Sequence, residues 1–263
     1  RLYGYRQEMN TTAAGENLTI LPEDRALTVD ITGGGVTGIS YEVRSMDRAR
    51  LVERTEVSDW QQTQQGIAAT LPIQNLLTKE REYQLIIQLD TENYGSVYYY
   101  TRILWTDSAQ HARDMVDLAA DFSIKTFDYE QAKSLTTYLE TSPSEDNSTF
   151  GHTSIHSSFS QLTWGKMNMQ QEGNVEIRLK ELDGVMCGVQ LSYQAKRQGD
   201  GAEETYEVEE DFTLKWNELR IYMMQYDRTV NQIFAGDRSE FSGKRILLGI
   251  TGDDRIELVK SAG

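Results

Sequence analysis

The segment Glu82–Trp105, EYQLIIQLDTENYGSVYYYTRILW, constrains the fold more than any other part of the chain. Val, Ile, Leu and Tyr, which favour strands, fill both of its ends, while Asp90, Asn93 and Gly95 mark a turn between them. This pattern predicts two long antiparallel strands joined by a hairpin turn. The residues before it predict a series of short strands, and the residues after it predict two helices followed by further strands.

Charge and hydrophobicity narrow the classes of partner. The formal net charge is −15 and the basic residues are scattered, which argues against nucleic acid as the main partner because phosphate binding needs a basic surface. The longest apolar runs, Leu85–Leu89 and Ile246–Ile250, are strand-sized and fall well short of the roughly 18 residues that span a bilayer.

The single cysteine, Cys187, excludes an intramolecular disulfide and lies in an alternating apolar run, so it is expected in the core rather than as a nucleophile. Few cysteines suit both a reducing compartment and a bacterial cell surface. The chain begins RLYGYR without a signal sequence, which predicts an excised segment whose only link to a membrane was a removed anchor. We therefore expect an extracytoplasmic location.

Residues 1–106 are predicted to form an antiparallel β-sandwich. Alternating apolar residues and intervening turn residues indicate about seven strands, a number typical of immunoglobulin-like sandwiches. The predicted strands are Leu18–Leu21, Ala26–Ile31, Gly38–Ser45, Arg50–Val57, Gly66–Leu71, Glu82–Leu89 and Ser96–Trp105.

A local motif sharpens this expectation. Leu77 stands six residues before Tyr83, and apolar residues follow at every second position. The motif resembles the tyrosine corner of fibronectin type III domains, in which the tyrosine hydroxyl bonds back to the loop backbone. The resemblance covers residues of about 17–106 and implies a spacer or binding module without an active site. The chain departs from that family in its second strand, which has no Trp, and Trp60 is expected in a loop.

Residues 33–38, GGGVTG, match the dinucleotide-binding pattern G-x-G-x-x-G. That site requires a helix after the glycines, with the pyrophosphate at its N-terminus. The following residues, ISYEVRS, alternate with period two and predict a strand. The glycines are therefore interpreted as a turn, and no cofactor is expected.

Residues 107–263 are predicted to form a second, α+β domain. Asp107 and Asp128 are expected to cap helices near 108–124 and 129–140. An antiparallel meander is expected to follow, with Asp183-Gly184 as one hairpin turn. Its strands are predicted at Thr153–Trp164, Asn174–Leu182, Val185–Lys196, Tyr206–Trp216 and Leu219–Tyr226, with a turn at 199–204 and further strands in 244–263. The arrangement is analogous to cystatin-like and nuclear transport factor 2-like folds.

Several groups of residues resemble reactive sites without completing one. His152 and His156 would share a zinc ion only on a helix, and the surrounding residues favour strand or loop, which would hold them about 13 Å apart. Serines nearby, such as Ser154 and Ser157, have no nucleophile-elbow motif around them. The acidic run between 203 and 211 contains no calcium-loop pattern and is interpreted as a solvated strand face. No metal and no catalytic residue are predicted.

Aromatic residues remain as candidates for contact with a partner. In the run Tyr98, Tyr99 and Tyr100, the middle side chain must point away from the other two. These tyrosines and Trp164 are the predicted partner- or ligand-binding residues. We expect a non-enzymatic cell-surface binding or scaffold module that engages a protein or an envelope polymer, with its oligomeric state open. A small-ligand pocket in the α+β domain and carbohydrate binding by the sandwich aromatics are the alternatives.

Overall fold

The computed structural model describes residues 1–9, 16–75, 77–198 and 203–233, together with the backbone of 241–242 and 245–246. Contacts divide the chain into two units. The first comprises Arg1–Arg113 and Arg178–Val185, and the second comprises Asp114–Ile177 and Met186–Gly263. Most of the described residues in regular structure are in strands, so the prediction of a mainly β protein is confirmed.

Among its described residues, the first unit contains eight complete strands. They are β1 (Leu18–Ile20), β2 (Ala26–Thr32), β3 (Val36–Arg44), β4 (Leu51–Glu56), β5 (Trp60–Thr63), β6 (Gly66–Pro72), β7 (Glu82–Thr91) and β8 (Gly95–Leu104). One sheet has the order β1-β8-β7-β3-β4, and the other has the order β2-β6-β5. The pairs are antiparallel except β1 with β8, which is parallel. All seven predicted strands are present, and the predicted hairpin is β7–β8.

The two sheets of the first unit share one apolar core. Leu85, Ile87 and Leu89 of β7 and Ile67 and Leu71 of β6 belong to the same buried cluster. Alternation in the sequence produces this arrangement, because side chains at every second position of a strand face the same side. The Tyr83 hydroxyl accepts a hydrogen bond of 3.1 Å from the backbone N–H of Thr78, as expected for a tyrosine corner.

The position of Trp60 in the first unit differs from the predicted one. Trp60 was expected in a loop, but it begins β5 and packs, half-buried, against the sandwich core. The structure therefore corrects that expectation.

Gly33 and Gly35 have positive φ values of 113° and 77° in the turn between β2 and β3. Since β3 follows them directly, no helix N-terminus is available there for a pyrophosphate.

The second unit contains most of a long helix, α1 (Ala109–Lys125), and a short one, α2 (Tyr129–Ala132). Met115, Ala119 and Phe122 form the buried stripe of α1 that their spacing predicts. The carboxylate of Asp128 caps α2 by accepting hydrogen bonds from two backbone N–H groups, of Glu130 and Gln131, as predicted. These bonds lower the pKa of Asp128.

The second predicted helix does not continue as an α-helix to residue 140. After one turn it becomes a 3₁₀ helix over Lys133–Tyr138. Ser134 and Thr136 donate side-chain hydrogen bonds to backbone carbonyls three residues earlier, at 2.8 and 2.9 Å. Such bonds compete with the α-helical pattern and explain the tighter turn.

The sheet of the second unit has the order β10-β11-β12-β13-β9. Its strands are β9 (His152–Ser154), β10 (Gln170–Asp183), β11 (Met186–Gln198), β12 (Glu203–Lys215) and β13 (Tyr222–Gln232). The strands β10 to β13 follow one another as the predicted meander, and Gly184 has the positive φ, 58°, of the predicted turn. The Phe122 ring of α1 lies 5.7 Å from the Phe212 ring and 4.9 Å from the Tyr226 ring of the sheet.

The predicted strand Thr153–Trp164 is wrong beyond its first residues. The strand β9 ends at Ser154, and a short helix, α3 (Phe159–Leu162), follows. The hydroxyl of Ser158 caps this helix by accepting a hydrogen bond from the N–H of Gln161. Two further strands of two residues each, β14 (Phe241–Ser242) and β15 (Arg245–Ile246), pair with each other in antiparallel orientation. Most of the turn predicted at 199–204 and of the strands predicted in 244–263 is outside the described residues.

Candidate functional site

The tyrosine run lies on β8 and divides between the two faces of its sheet. Tyr99 packs against the sandwich core, whereas Tyr98 and Tyr100 cluster with Ile86 and Met9 on the other face. The predicted opposition of Tyr99 to its two neighbours is therefore confirmed. Tyr100 is only 5% exposed and Tyr98 is half-buried, so the run does not present a row of exposed rings.

The N-terminal segment, residues 1–9, covers the outer face around Tyr100. Tyr5 and Tyr98 exchange two backbone hydrogen bonds, of 2.9 and 2.8 Å. The backbone N–H of Met9 donates to the Tyr100 hydroxyl at 2.7 Å, and the Tyr5 ring meets the Tyr100 ring edge-on at 5.9 Å. The guanidinium of Arg48 donates to the Met9 carbonyl at 2.7 Å. The segment therefore occupies the face on which a partner was expected.

A polar cavity of about 370 Å³ lies beside this segment on the same face. Glu42 lines the cavity and pairs with Arg44 and Arg54. Burial alone raises the pKa of Glu42, but the hydrogen bonds from the two guanidinium groups outweigh it, and the net shift is downward. Glu42 is therefore ionised, and the two guanidinium groups neutralise its charge.

The larger cavity is an open groove of about 800 Å³ in the first unit. Its apolar lining comes from both sheets: Val29 and Ile31 from β2, and Ile87, Leu89 and Tyr99 from β7 and β8. Residues 1–4 form a further wall. The groove is therefore a place where the core of the sandwich is open to the solvent.

Four consecutive residues of β2, from Val29 to Thr32, line this groove. Side chains along a strand alternate between its faces, so consecutive residues share only the backbone edge. The strand β2 is the outer strand of its sheet and pairs only with β6 among the described strands. The groove thus follows an edge of β2 with which no described strand pairs, as well as an apolar surface.

Gly4 fits the N-terminal wall closely against β8. A Cβ atom at this position would lie 2.6 Å from Cγ1 of Val97 and 2.7 Å from Cζ of Tyr99. Such distances are too short for carbon atoms in contact. Glycine is therefore what allows the N-terminal segment to approach Tyr99.

In the second unit, two oppositely charged side chains are fully buried. Glu210 on β12 and Arg228 on β13 are directly opposite each other in the strand register, and both are 0% exposed. The Tyr226 hydroxyl donates to Oε1 of Glu210 at 2.8 Å. Burial raises the pKa of Glu210, and the positive charge of Arg228 opposes this shift. Burial also raises the pKa of Tyr226 and Tyr193 well above their ordinary value.

Arg228 holds the short helix α3 and Trp164 in place. Its guanidinium donates to the carbonyls of Gln161 and Leu162, both at 3.0 Å, and lies 3.6 Å from the centre of the Trp164 ring. Trp164 has a positive φ of 61°, which is rare for a bulky residue. Its ring also stacks on Phe127.

Trp164 was predicted as a partner-binding residue, and this expectation requires correction. The side chain is 2% exposed because Arg228 and Phe127 cover its ring. It therefore has no exposed face for a partner. The polar cluster around Glu210 is likewise enclosed by the core, so these residues are suited to fixing the fold.

The remaining candidates from the sequence take separate, local roles. His152 and His156 are exposed and have different partners: Asp227 lies 3.2 Å from one, and the Glu140 carbonyl lies 3.0 Å from the other. Within the described part of the chain, no three potential ligands are grouped as a metal site. The hydroxyls of Ser154 and Ser157 take part in hydrogen bonds of the loop. Cys187 is 1% exposed on β11, as predicted for a core residue.

The acidic run is exposed only at alternate positions. Glu207, Glu209 and Asp211 face the solvent, but Glu210 is buried, which corrects its interpretation as part of a solvated face. A signal for this was present, because Glu210 continues the period-two series of Val208 and Phe212. Arg228 likewise stands between Tyr226 and Val230 in β13.

The groove along β2 was also missed, and its signal is weaker. It depends on which strand ends a sheet, and neighbouring residues do not encode that order.

No family model and no curated protein matches this chain. Among the described helices, none combines the length and the apolar character required to cross a membrane.

Proposed function

We propose that the chain is a non-enzymatic binding or scaffold module of the bacterial cell surface, which engages a protein or envelope polymer through the groove along β2. The observation that carries this proposal is the open apolar groove of about 800 Å³. Concave apolar surfaces that stay accessible in a folded domain are characteristic of binding sites. The low cysteine content is compatible with an extracytoplasmic location.

We also propose a fold class for each of the two units. The strand orders β2-β6-β5 and β8-β7-β3-β4 agree with the B-E-D and G-F-C-C′ orders of immunoglobulin-like sandwiches. Together with the hydrogen bond of Tyr83, they support a fibronectin type III-like sandwich. The parallel pairing of β1 with β8 is a departure, because the first strand then joins the other sheet. Helix α1 against the meander supports the α+β, cystatin-like analogy for the second unit.

The groove is favoured over the two alternatives on specific contacts. Aromatic rings fill the contact between α1 and the sheet, where a small-ligand pocket was the alternative. Carbohydrate binding was expected to need a row of exposed aromatics. Tyr99 faces the core and Tyr100 is buried, so the run lacks that row.

Site-specific photocrosslinking tests the proposal. A photoreactive phenylalanine analogue replaces Thr32, at the groove, and in a matched control it replaces Gln62, which is exposed on β5 of the same sheet. We expect light-dependent adducts from envelope extracts at position 32 and not at position 62. An excess of the unlabelled chain must compete for these adducts, whereas Val29→Trp, designed to fill the groove, must not.

Two results would contradict the proposal. Equal labelling at both positions would mean that the groove is not a preferred contact surface. Undiminished labelling in the presence of the unlabelled chain would mean that the adducts are not specific. Circular dichroism of Val29→Trp checks that the competitor is folded.

A further inference from the structure

The backbone edge of β2 and the apolar side chains beneath it suggest what kind of molecule occupies the groove. Leu27, Val29 and Ile31 are directed toward the sandwich core but remain half-buried. The corresponding residues of the central strand β6, Ile67, Ala69 and Leu71, are almost completely buried. The difference arises because no described strand covers the outer side of β2.

An added strand meets both requirements of this site at once. Its backbone N–H and C=O groups would pair with those of the β2 edge, and its alternate side chains would enter the apolar groove. A compact sugar or a metabolite would satisfy the apolar surface without pairing with the strand edge. The length of β2, seven residues, sets the length of the segment that can pair with it.

Charge adds a specificity element on the outer face of the strand. Asp30 is exposed on β2 and lines the groove. A residue directly opposite in an added strand would lie close to its carboxylate, where an opposite charge is favourable and a like charge is not. A second copy of this chain, with its net charge of −15, is a poor occupant for the same reason.

We propose that the groove binds an extended polypeptide segment, which adds as a strand to the edge of β2 and places a basic residue opposite Asp30. This inference rests on the proposed function, since it names the class of partner for the same groove. The occupant has β-branched residues at alternate positions and a Lys or Arg among the intervening polar residues.

Fluorescence anisotropy with synthetic peptides tests the inference on the complete chain. The probe is a labelled peptide of the same length as β2, with Val and Ile alternating with Thr and a central Lys. Two further peptides carry N-methyl groups on all odd or on all even residues. An added strand directs alternate amides toward β2, so one methylated peptide should bind about tenfold more weakly than the other.

Charge reversal supplies the second readout. Wild type should prefer the Lys peptide to one with a central Glu, and Asp30→Lys should invert this preference. Thr70→Lys, an exposed change on the outer face of β6, is the matched control and should keep the wild-type preference. Both positions are exposed, so neither change is expected to disturb folding.

The results separate this inference from the proposed function. If the two methylated peptides bind equally well, or Asp30→Lys leaves the preference unchanged, strand addition is overturned, whereas competed adducts at position 32 still support the groove. If neither peptide binding nor competed adducts occur, both proposals fail. Self-association of the chain in sedimentation, abolished by filling the groove, would overturn the peptide in favour of a second copy.

Discussion

Among the described residues, each unit buries one glutamate, and the two glutamates are stabilised differently. Glu53 in the sandwich is 7% exposed and accepts hydrogen bonds from the Tyr41 hydroxyl at 2.6 Å, from the Thr55 hydroxyl and from the Asn75 N–H, both at 3.1 Å. Glu210 in the second unit is fully buried, and the Tyr226 hydroxyl donates to one of its oxygens. The charge of Arg228 lowers the pKa of Glu210 more than any of the hydroxyls of Ser123, Tyr226 and Tyr193 does. Arg228 faces it from the next strand.

The difference shows two ways of placing a carboxylate inside a fold. Neutral donors satisfy both oxygens of Glu53, so several separate hydrogen bonds stabilise this carboxylate in the folded state. Glu210 depends largely on the opposite charge of Arg228, and a buried pair of this kind is sensitive to the loss of either partner. The second unit should therefore respond more strongly than the first to a single substitution at its buried carboxylate site.

The largest expected effect follows from Arg228→Met. The substitution leaves Glu210 buried without its cation and removes the hydrogen bonds to α3, so we expect the second unit to lose about 3–5 kcal/mol of stability. Hydrogen exchange, read on amides of β12 and β13, measures the loss in that unit alone. The double variant Arg228→Met/Glu210→Leu should recover much of it, because an apolar pair replaces the ion pair. A loss below about 1 kcal/mol in the single variant would contradict the role assigned to Arg228.

A smaller effect is expected for Tyr41→Phe in the sandwich. The change removes one donor from Glu53 and leaves two others, so we expect a loss of about 2 kcal/mol in the first unit. Urea denaturation, together with hydrogen exchange on β3, measures it. Tyr94→Phe is the matched control because Tyr94 is 63% exposed. A loss as large as that of Arg228→Met would remove the contrast between the units.

Tyr83→Phe should cost less again, about 1 kcal/mol, because the hydroxyl accepts one hydrogen bond from a neutral backbone N–H. Hydrogen exchange of the Thr78 amide reports the bond directly. Unchanged protection of that amide in the Phe variant would show that the hydroxyl does not hold the corner.

The smallest expected effect is the contribution of Glu210 to the pH dependence of stability. Because burial raises the pKa of Glu210, the folded state binds its proton more readily than the unfolded state does. The free energy of unfolding of wild type should therefore fall, relative to Glu210→Gln, as the pH rises from the ordinary carboxyl pKa to the raised value. Chemical denaturation of both proteins over that range measures the difference. A wild-type stability that rises relative to the Gln variant would have the wrong sign.

Hydrophobic alternation predicted the elements whose faces differ clearly in polarity. The strands β7 and β11 and the helix α1 follow their apolar residues because one face of each is apolar along most of its length. The strand β5 was missed because Trp60 is followed by Gln, Gln and Thr, which leave the alternation incomplete. The helix α3 was missed although Ser158 and Gln161 have the spacing of a capping box.

The candidate site was predictable only in part, because it depends on long-range order. The alternation of the tyrosine run correctly assigned Tyr99 to the side opposite Tyr98 and Tyr100. The covering of Tyr100 by Met9 joins residues 91 positions apart, which a local pattern does not encode. No described strand pairs with the outer edge of β2 because β1 pairs with β8, a choice between sheets that the three residues of β1 do not reveal.

The rate at which a reagent labels the single thiol, Cys187, measures how often the second unit opens. Cys187 is 1% exposed on β11, opposite Leu214 of β12, so a thiol reagent can reach it only when these strands separate. Its labelling rate in the native protein consequently counts openings of the second unit. The sandwich contains no thiol and makes no contribution to the signal. At high reagent concentration the rate approaches that of opening, and at low concentration it follows the opening equilibrium.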